Sequence, residues 1–294
     1  MFSEPRGGST WLMELLAHVP KTCINWEPLH ETFGIIPGEL NTGNRPYIPV
    51  DDKNPAYYQW LKNILEFNVY TNWTMACLSI VKLLKSKLVI TKLIRGNFLI
   101  PYFLTNFDFK YRPVLLLRHP IDVCMSQLKG MTNKEEITIA EIPIEMDFFK
   151  KIDHSKFLDQ LTSPLERNIA NWCMNNLPIL NQPDRLNQLM IVFYSDLILN
   201  PETELRKILD SLNICSRHKN DRIINSINFR KASKTDFRGD LKPDPDEQLS
   251  KNFNDLDEQT KKKIQRIFDE FGFTLYNAFS PFPNKEYLEK SLWI

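Results

Sequence analysis

Arg6, Gly7, Gly8, Ser9 and Thr10 stand in a row near the start of the chain, directly before an apolar helical pattern. Paired glycines let a backbone turn so that several N–H groups point one way, and a helix start adds partial positive charge. Arg6 contributes a fixed charge whose planar fork matches phosphate or sulfate oxygens. Ser9 and Thr10 add hydroxyl donors. This is chemistry for holding an anion. The same residues also suit a plain turn in which Ser9 or Thr10 caps the helix. The common phosphate-loop pattern GxxxxGK[ST] is absent, because no lysine follows the last glycine.

A second set of donors lies far along the chain. Arg118 ends the apolar run 113–117, and Ser126 follows eight residues later. That spacing is a little over two helical turns. With Pro120 opening the helix, Arg118 can meet a ligand from a loop while Ser126 approaches from the helix. The plainer alternative pairs Arg118 with Asp122 and leaves Ser126 as a small packing residue.

The elements that must position these residues are legible as periodicity. Trp11, Leu12, Leu15, Leu16 and Val19 predict an amphipathic helix over 10–19. Residues 33–56 read as a long surface loop, and 57–67 and 72–86 as helices. Buried strands are expected at 88–94, 113–117 and 189–193, and the run 113–117 is apolar on both faces. A helical stretch runs from the first of these to about Phe107. Further helices are expected at 121–130, 164–180 and 201–212, and a last one starting from Asp255 or Asp257. The span 131–160 is charged and irregular, a candidate lid, and 228–252 reads as a polar loop that orders on binding. Alternating strands and helices predict an α/β protein with a central parallel sheet flanked by helices in three layers. Ligands of such sheets sit beyond the carboxyl ends of the strands, which brings residues 5–10, Arg118 and Tyr194 together.

Composition narrows the function. The 294 residues carry 37 basic and 36 acidic side chains, a balance that argues against a general nucleic-acid partner. The five cysteines are scattered, with no CxxC pair or Cys/His cluster, so no metal site is expected. The longest apolar runs are too short to span a bilayer, and no signal peptide precedes the glycine loop. Those features predict a soluble cytoplasmic protein, read as one domain over 1–294.

Pro5-Arg6-Gly7-Gly8-Ser9-Thr10-Trp11-Leu12 resembles the 5′-phosphosulfate loop of sulfotransferases that use 3′-phosphoadenosine 5′-phosphosulfate (PAPS). Arg118-His119-Pro120…Ser126 resembles the family's 3′-phosphate motif. Val192-Phe193-Tyr194-Ser195-Asp196-Leu197 is similar to its Tyr-Glu-Asp-Leu segment. Order and spacing agree over roughly residues 4–212. The resemblance implies a fold related to P-loop kinases and an enzyme that releases 3′,5′-ADP without a metal. It implies that Arg6, Gly7, Gly8, Ser9, Thr10 and Trp11 form the loop that holds the 5′ end of the donor. Arg118 and Ser126 would hold the 3′-phosphate, and Tyr194 would lie near the adenosine. Arg238-Gly239 hints at a loop closing over the nucleotide. Gly7 stands where the family commonly has serine, and the strand before the loop is reduced to residues 1–4.

Sulfuryl transfer also needs a base for the acceptor proton. Trp26-Glu27-Pro28-Leu29-His30 resembles a Glu-Pro-Leu…His segment of carbohydrate sulfotransferases, which implies Glu27 as base with His30 as the alternative. The acceptor itself is not legible, though the segment tilts towards a carbohydrate or glycolipid. Two other readings stay open: a kinase-like nucleotide enzyme with a degenerate loop, and a nucleotide-binding protein without catalysis.

Overall fold

Phe2 and Ser3 form a two-residue strand in the interior of the main sheet. A computed structural model describes residues 1–38, 45–78, 80–130, 137–139, 142–143, 146–150, 154–233, 241–242 and 244–286. Its strands are β1 (Phe2–Ser3), β2 (Thr22–Asn25), β3 (Leu88–Thr91), β4 (Leu93–Ile94), β5 (Val114–Leu117) and β6 (Met190–Phe193). All named pairings are parallel. One sheet runs β4-β1-β5-β6, and β2 pairs with β3. The expected strand 88–94 is thus split at Lys92. Its backbone N–H bonds to Asn25 on one side (3.0 Å), and the next N–H, of Leu93, bonds to Met1 on the other (2.8 Å). The residue at the break therefore links the two sheets.

Helices cover both faces, as expected. Side chains of β5 alternate between two cores: Leu115 and Leu117 enter one, Val114 and Leu116 the other. The first core takes Leu61 and Ile64 of helix Pro55–Leu65, much of helix Pro164–Leu180, and Ile264, Ile267 and Phe268 of helix Glu258–Glu270. The second takes the helix Ser9–Leu16 and Leu205, Ile208, Leu209 and Leu212 of helix Pro201–Leu212. Local chemistry sets the helix ends. Ser163 and Glu166 form a reciprocal capping box, and Asp257, one of the two expected starts, accepts from the Thr260 N–H.

Three expectations are corrected. Residues 72–86 are not one helix: turns occupy 72–77 and a short helix spans Ile80–Lys85. The polar span 228–252 contains a helix, Pro245–Asn254, whose Leu249 and Phe253 are buried. Proline at its start, the Asp244 cap and this i, i+4 apolar pair are enough to form it despite a charged exposed face. The span 131–160 is not irregular throughout: it contains helices Asp147–Lys150 and Ser155–Leu158, and Phe157 packs into the main core.

His119 joins β5 to the C-terminal part of the chain. It is buried, its Nδ1 accepts from the Ile121 N–H at 3.1 Å, and its Nε2–H donates to the Asn277 carbonyl at 3.0 Å. Burial drives its pKa from 6.5 down to about 3. The unfolded chain therefore takes up a proton near pH 6.5 that the folded one refuses until about pH 3. His119 lowers stability progressively as pH falls through that window, by up to about 1.4 kcal/mol per pH unit. Denaturant titrations between pH 7 and 4 check this. A His119→Asn chain has a shallower acid slope, and an unchanged slope counts against the assignment.

Candidate functional site

The glycine loop is built for close approach. Gly7 donates its N–H to the Glu4 carbonyl at 2.9 Å, closing a tight turn. A Cβ at Gly7 would lie 2.3 Å from Ser3 Oγ and 2.9 Å from the Glu4 carbonyl, so a serine there does not fit this backbone. Gly8 has φ of 92°, and a Cβ there would sit 2.4 Å from the Tyr194 ring. Arg6 is also left-handed, at φ 67°. Alternation of this kind turns successive N–H groups inward. The cap position of helix Ser9–Leu16 is Gly8, without a side-chain cap. This corrects the reading of Ser9 or Thr10 as cap: both are the first helical residues. The helix start is therefore turned to the cleft with its own N–H groups.

The loop is pinned from outside, since β1 is only two residues long. Gln127 donates to the Pro5 carbonyl at 2.9 Å and is itself held by Asn168 at 2.8 Å. Arg118 donates to the Arg6 carbonyl at 3.2 Å. Buried Glu4 pairs with Arg45 at 2.6 Å and accepts from Asn97 at 3.0 Å.

A cleft of about 280 Å³ opens at the carboxyl ends of the strands. Pro5, Arg6, Gly8, Ser9, Thr10 and Trp11 line it from the loop. Arg118 and Ser126 line it from the end of β5 and the helix Pro120–Gly130. Arg6 Nε donates to Ser126 Oγ at 3.1 Å, so the two donor sets read separately in the sequence meet here. The guanidinium of Arg118 lies 4.3 Å from the Tyr194 ring centre and 3.6 Å from Asp122. Tyr194 is a buried pillar between Gly8 and Arg118, with Trp11 edge-on at 6.2 Å. Arg238 and Gly239 lie outside the described residues, while Ser233 and Leu241 on either side of them line the same cleft.

Glu27 and His30 also line the cleft, but they are not equivalent. His30 Nδ1 accepts the backbone N–H groups of Thr32 (3.2 Å) and Phe33 (3.3 Å). A nitrogen that receives two N–H donors carries no proton, so neutral His30 bears its hydrogen on Nε2 and offers a donor. Burial, with Arg95 assisting, also lowers its pKa. Glu27, at φ 42°, holds its carboxylate 2.6 Å from the ammonium of Lys92.

Lys92 ties the loop to this wall of the cleft. It is 3% exposed, donates to Thr10 Oγ1 at 2.8 Å, and lies 4.0 Å from the centre of the Trp26 ring. Burial pulls its pKa down and Glu27 opposes the fall. The loop has no lysine of its own, but this one reaches it from the break between β3 and β4. Lys129, Lys251 and Asn252 belong to none of the motifs read in the sequence, yet they line the cleft as well. Lys129 donates to Asn252 (2.9 Å), and Asn252 donates to Asp122 beside Arg118 (2.6 Å). Lys129 follows Ser126 on the same helix face, a signal that i, i+3 spacing carries.

The sulfotransferase domain model matches residues 1–271 of the chain. No curated protein and no solved structure matches it.

Proposed function

The chain belongs to the sulfotransferase family, and we propose that it moves a sulfuryl group from PAPS to a hydroxyl or amine of an acceptor. The carrying observation is the meeting of two anion-binding ends in one cleft, joined by the contact of Arg6 with Ser126. A donor with phosphates at both its 5′ and 3′ positions needs two such ends; ATP needs one, with a metal. The uncapped helix start, Arg6 and Lys92 would receive the 5′ phosphosulfate. Arg118 and Ser126, with Lys129 and Lys251 nearby, would receive the 3′-phosphate.

The donor supplies an activated O–S bond. As that bond breaks, negative charge grows on the departing phosphate oxygen, and the loop N–H groups and Arg6 would stabilise it. As the new O–S bond forms, the acceptor oxygen gives up its proton. Glu27 takes it, with Oε1 fixed by Lys92. His30 donates from Nε2 and orients the acceptor rather than serving as base. Among the described residues no helix is long and apolar enough to cross a membrane.

Calorimetric titration tests the donor assignment. The protein binds 3′,5′-ADP more tightly than 5′-AMP or magnesium–ATP. Equal or tighter binding of magnesium–ATP returns the chain to a kinase-like reading.

A further inference from the structure

Arg95 follows β4 at the wall of the cleft that also carries Glu27 and His30. Its Nη1 is buried and has no hydrogen-bond partner among the described residues. The nearby carboxylates are engaged or peripheral. Glu27 is held by Lys92, Glu4 by Arg45 and Asn97, and Glu31 stands exposed at the rim. An N–H held out of water without an acceptor is unfavourable by itself, and a second cation lies nearby. Burial first, and then Arg45, lower the Arg95 pKa, while the more distant charges of Glu27, Glu31 and Glu4 oppose the fall without accepting a hydrogen bond from it. The backbone holds Arg95 at φ 65°, an uncommon conformation outside glycine. Gly96 then packs against Leu29, where a Cβ would meet Leu29 at 3.1 Å, so the segment has little room to turn the side chain elsewhere.

The cation lies on the wall that carries Glu27 and His30, apart from the Arg118 end. Beside it, neutral His30 offers Nε2–H. A planar fork with a free N–H next to a single neutral donor matches an oxyanion of two or three oxygens.

We propose that Arg95 selects the acceptor: it binds a carboxylate or sulfate ester that the acceptor already carries beside the hydroxyl to be modified. The acceptor is therefore an acidic molecule. This rests on the sulfotransferase reading of the same cleft, and it adds the charge of the second substrate. Arg95 takes no proton and touches no breaking bond; it sets specificity.

The test uses the full chain saturated with 3′,5′-ADP and two probes, methyl β-glucuronide and methyl β-glucoside, which differ by a carboxylate in place of a hydroxymethyl. Calorimetry reads the affinities. The glucuronide binds roughly tenfold more tightly or better, the scale of a hydrogen bond to a charged group. Arg95→Gln removes that preference and leaves 3′,5′-ADP affinity unchanged; Arg95→Lys, which keeps the charge without the fork, retains part of it. Equal binding of the two probes, or binding of neither, overturns the proposal. So does a preference that survives Arg95→Gln. A third contrary result is an Arg95→Gln chain that binds PAPS more weakly but 3′,5′-ADP normally, since Arg95 would then serve the donor's sulfuryl group. If the unsubstituted chain fails to bind 3′,5′-ADP, the donor reading falls. The two probes are then compared on the protein alone, where a glucuronide preference lost in Arg95→Gln still supports the Arg95 site and equal binding still overturns it.

Discussion

Replacing Glu27 with glutamine lowers kcat by about 10²- to 10⁴-fold, the usual scale for removing a general base, while 3′,5′-ADP binds as before. Glutamine keeps the size of the side chain and an oxygen to accept from Lys92, which lies 2.6 Å from the carboxylate. It cannot take a proton. Alanine at this position would leave the buried ammonium of Lys92 with neither counter-ion nor acceptor here, which is strongly destabilising in itself; the amide keeps the acceptor and so limits the cost to folding. The companion measurement is His30→Asn. Because Nδ1 of His30 is occupied by two backbone N–H groups, its loss costs less than tenfold in kcat by orientation alone. A Glu27→Gln chain within threefold of the parent kcat sinks the base assignment. A His30→Asn chain as inactive as Glu27→Gln reverses it.

Arg118→Ala weakens 3′,5′-ADP binding by about 100-fold, as expected for losing a charged, forked donor to phosphate, and barely changes 5′-AMP. The second clause carries the test. Arg118 also supports the loop through the Arg6 carbonyl and stacks on Tyr194, so some loss of affinity for any nucleotide would follow from loosening alone. Only a 3′-phosphate contact makes the ratio of the two affinities collapse. The Arg118→Lys chain keeps a charge near Asp122 and guards against simple misfolding. If selectivity for 3′,5′-ADP survives in Arg118→Ala, the 3′-phosphate lies elsewhere in the cleft.

The three-layer α/β architecture is legible because β5 and β6 are apolar on both faces and most of the helices between strands carry a clear apolar stripe. Helix Pro201–Leu212 buries the same four residues that its spacing marks. The loop, Arg118 and Tyr194 are legible as residues at strand ends, and Ser126 as a helix residue that can approach them. Three kinds of information are not. The break at Lys92 depends on which neighbour each N–H finds, and a run of apolar residues does not record that. The helix Pro245–Asn254 buries only one narrow side, so its polar residues outweigh Leu249 and Phe253 in the pattern. The difference between Glu27 and His30 turns on which ring nitrogen the Thr32 and Phe33 backbone occupies, a fact of turn geometry. Gly7 changes meaning too. As sequence it is a missing hydroxyl; in the fold it is a position where Ser3 and Glu4 leave no space for one.

The two-residue interior strand has a consequence for how the protein is made. Phe2 is paired with Leu93 and Leu115, and the loop behind it leans on Arg118, Gln127 and Tyr194. Each of these partners is synthesised long after the first segment. During translation residues 2–10 wait for the rest of the sheet, and loop closure over such separations is entropically slow. The glycine loop has no local hairpin to hold it in the meantime. Nucleotide binding consequently appears as a late, all-or-none event in refolding, after secondary structure has formed, and a ligand that grips both ends of the cleft acts as a clasp on the first and middle thirds of the chain.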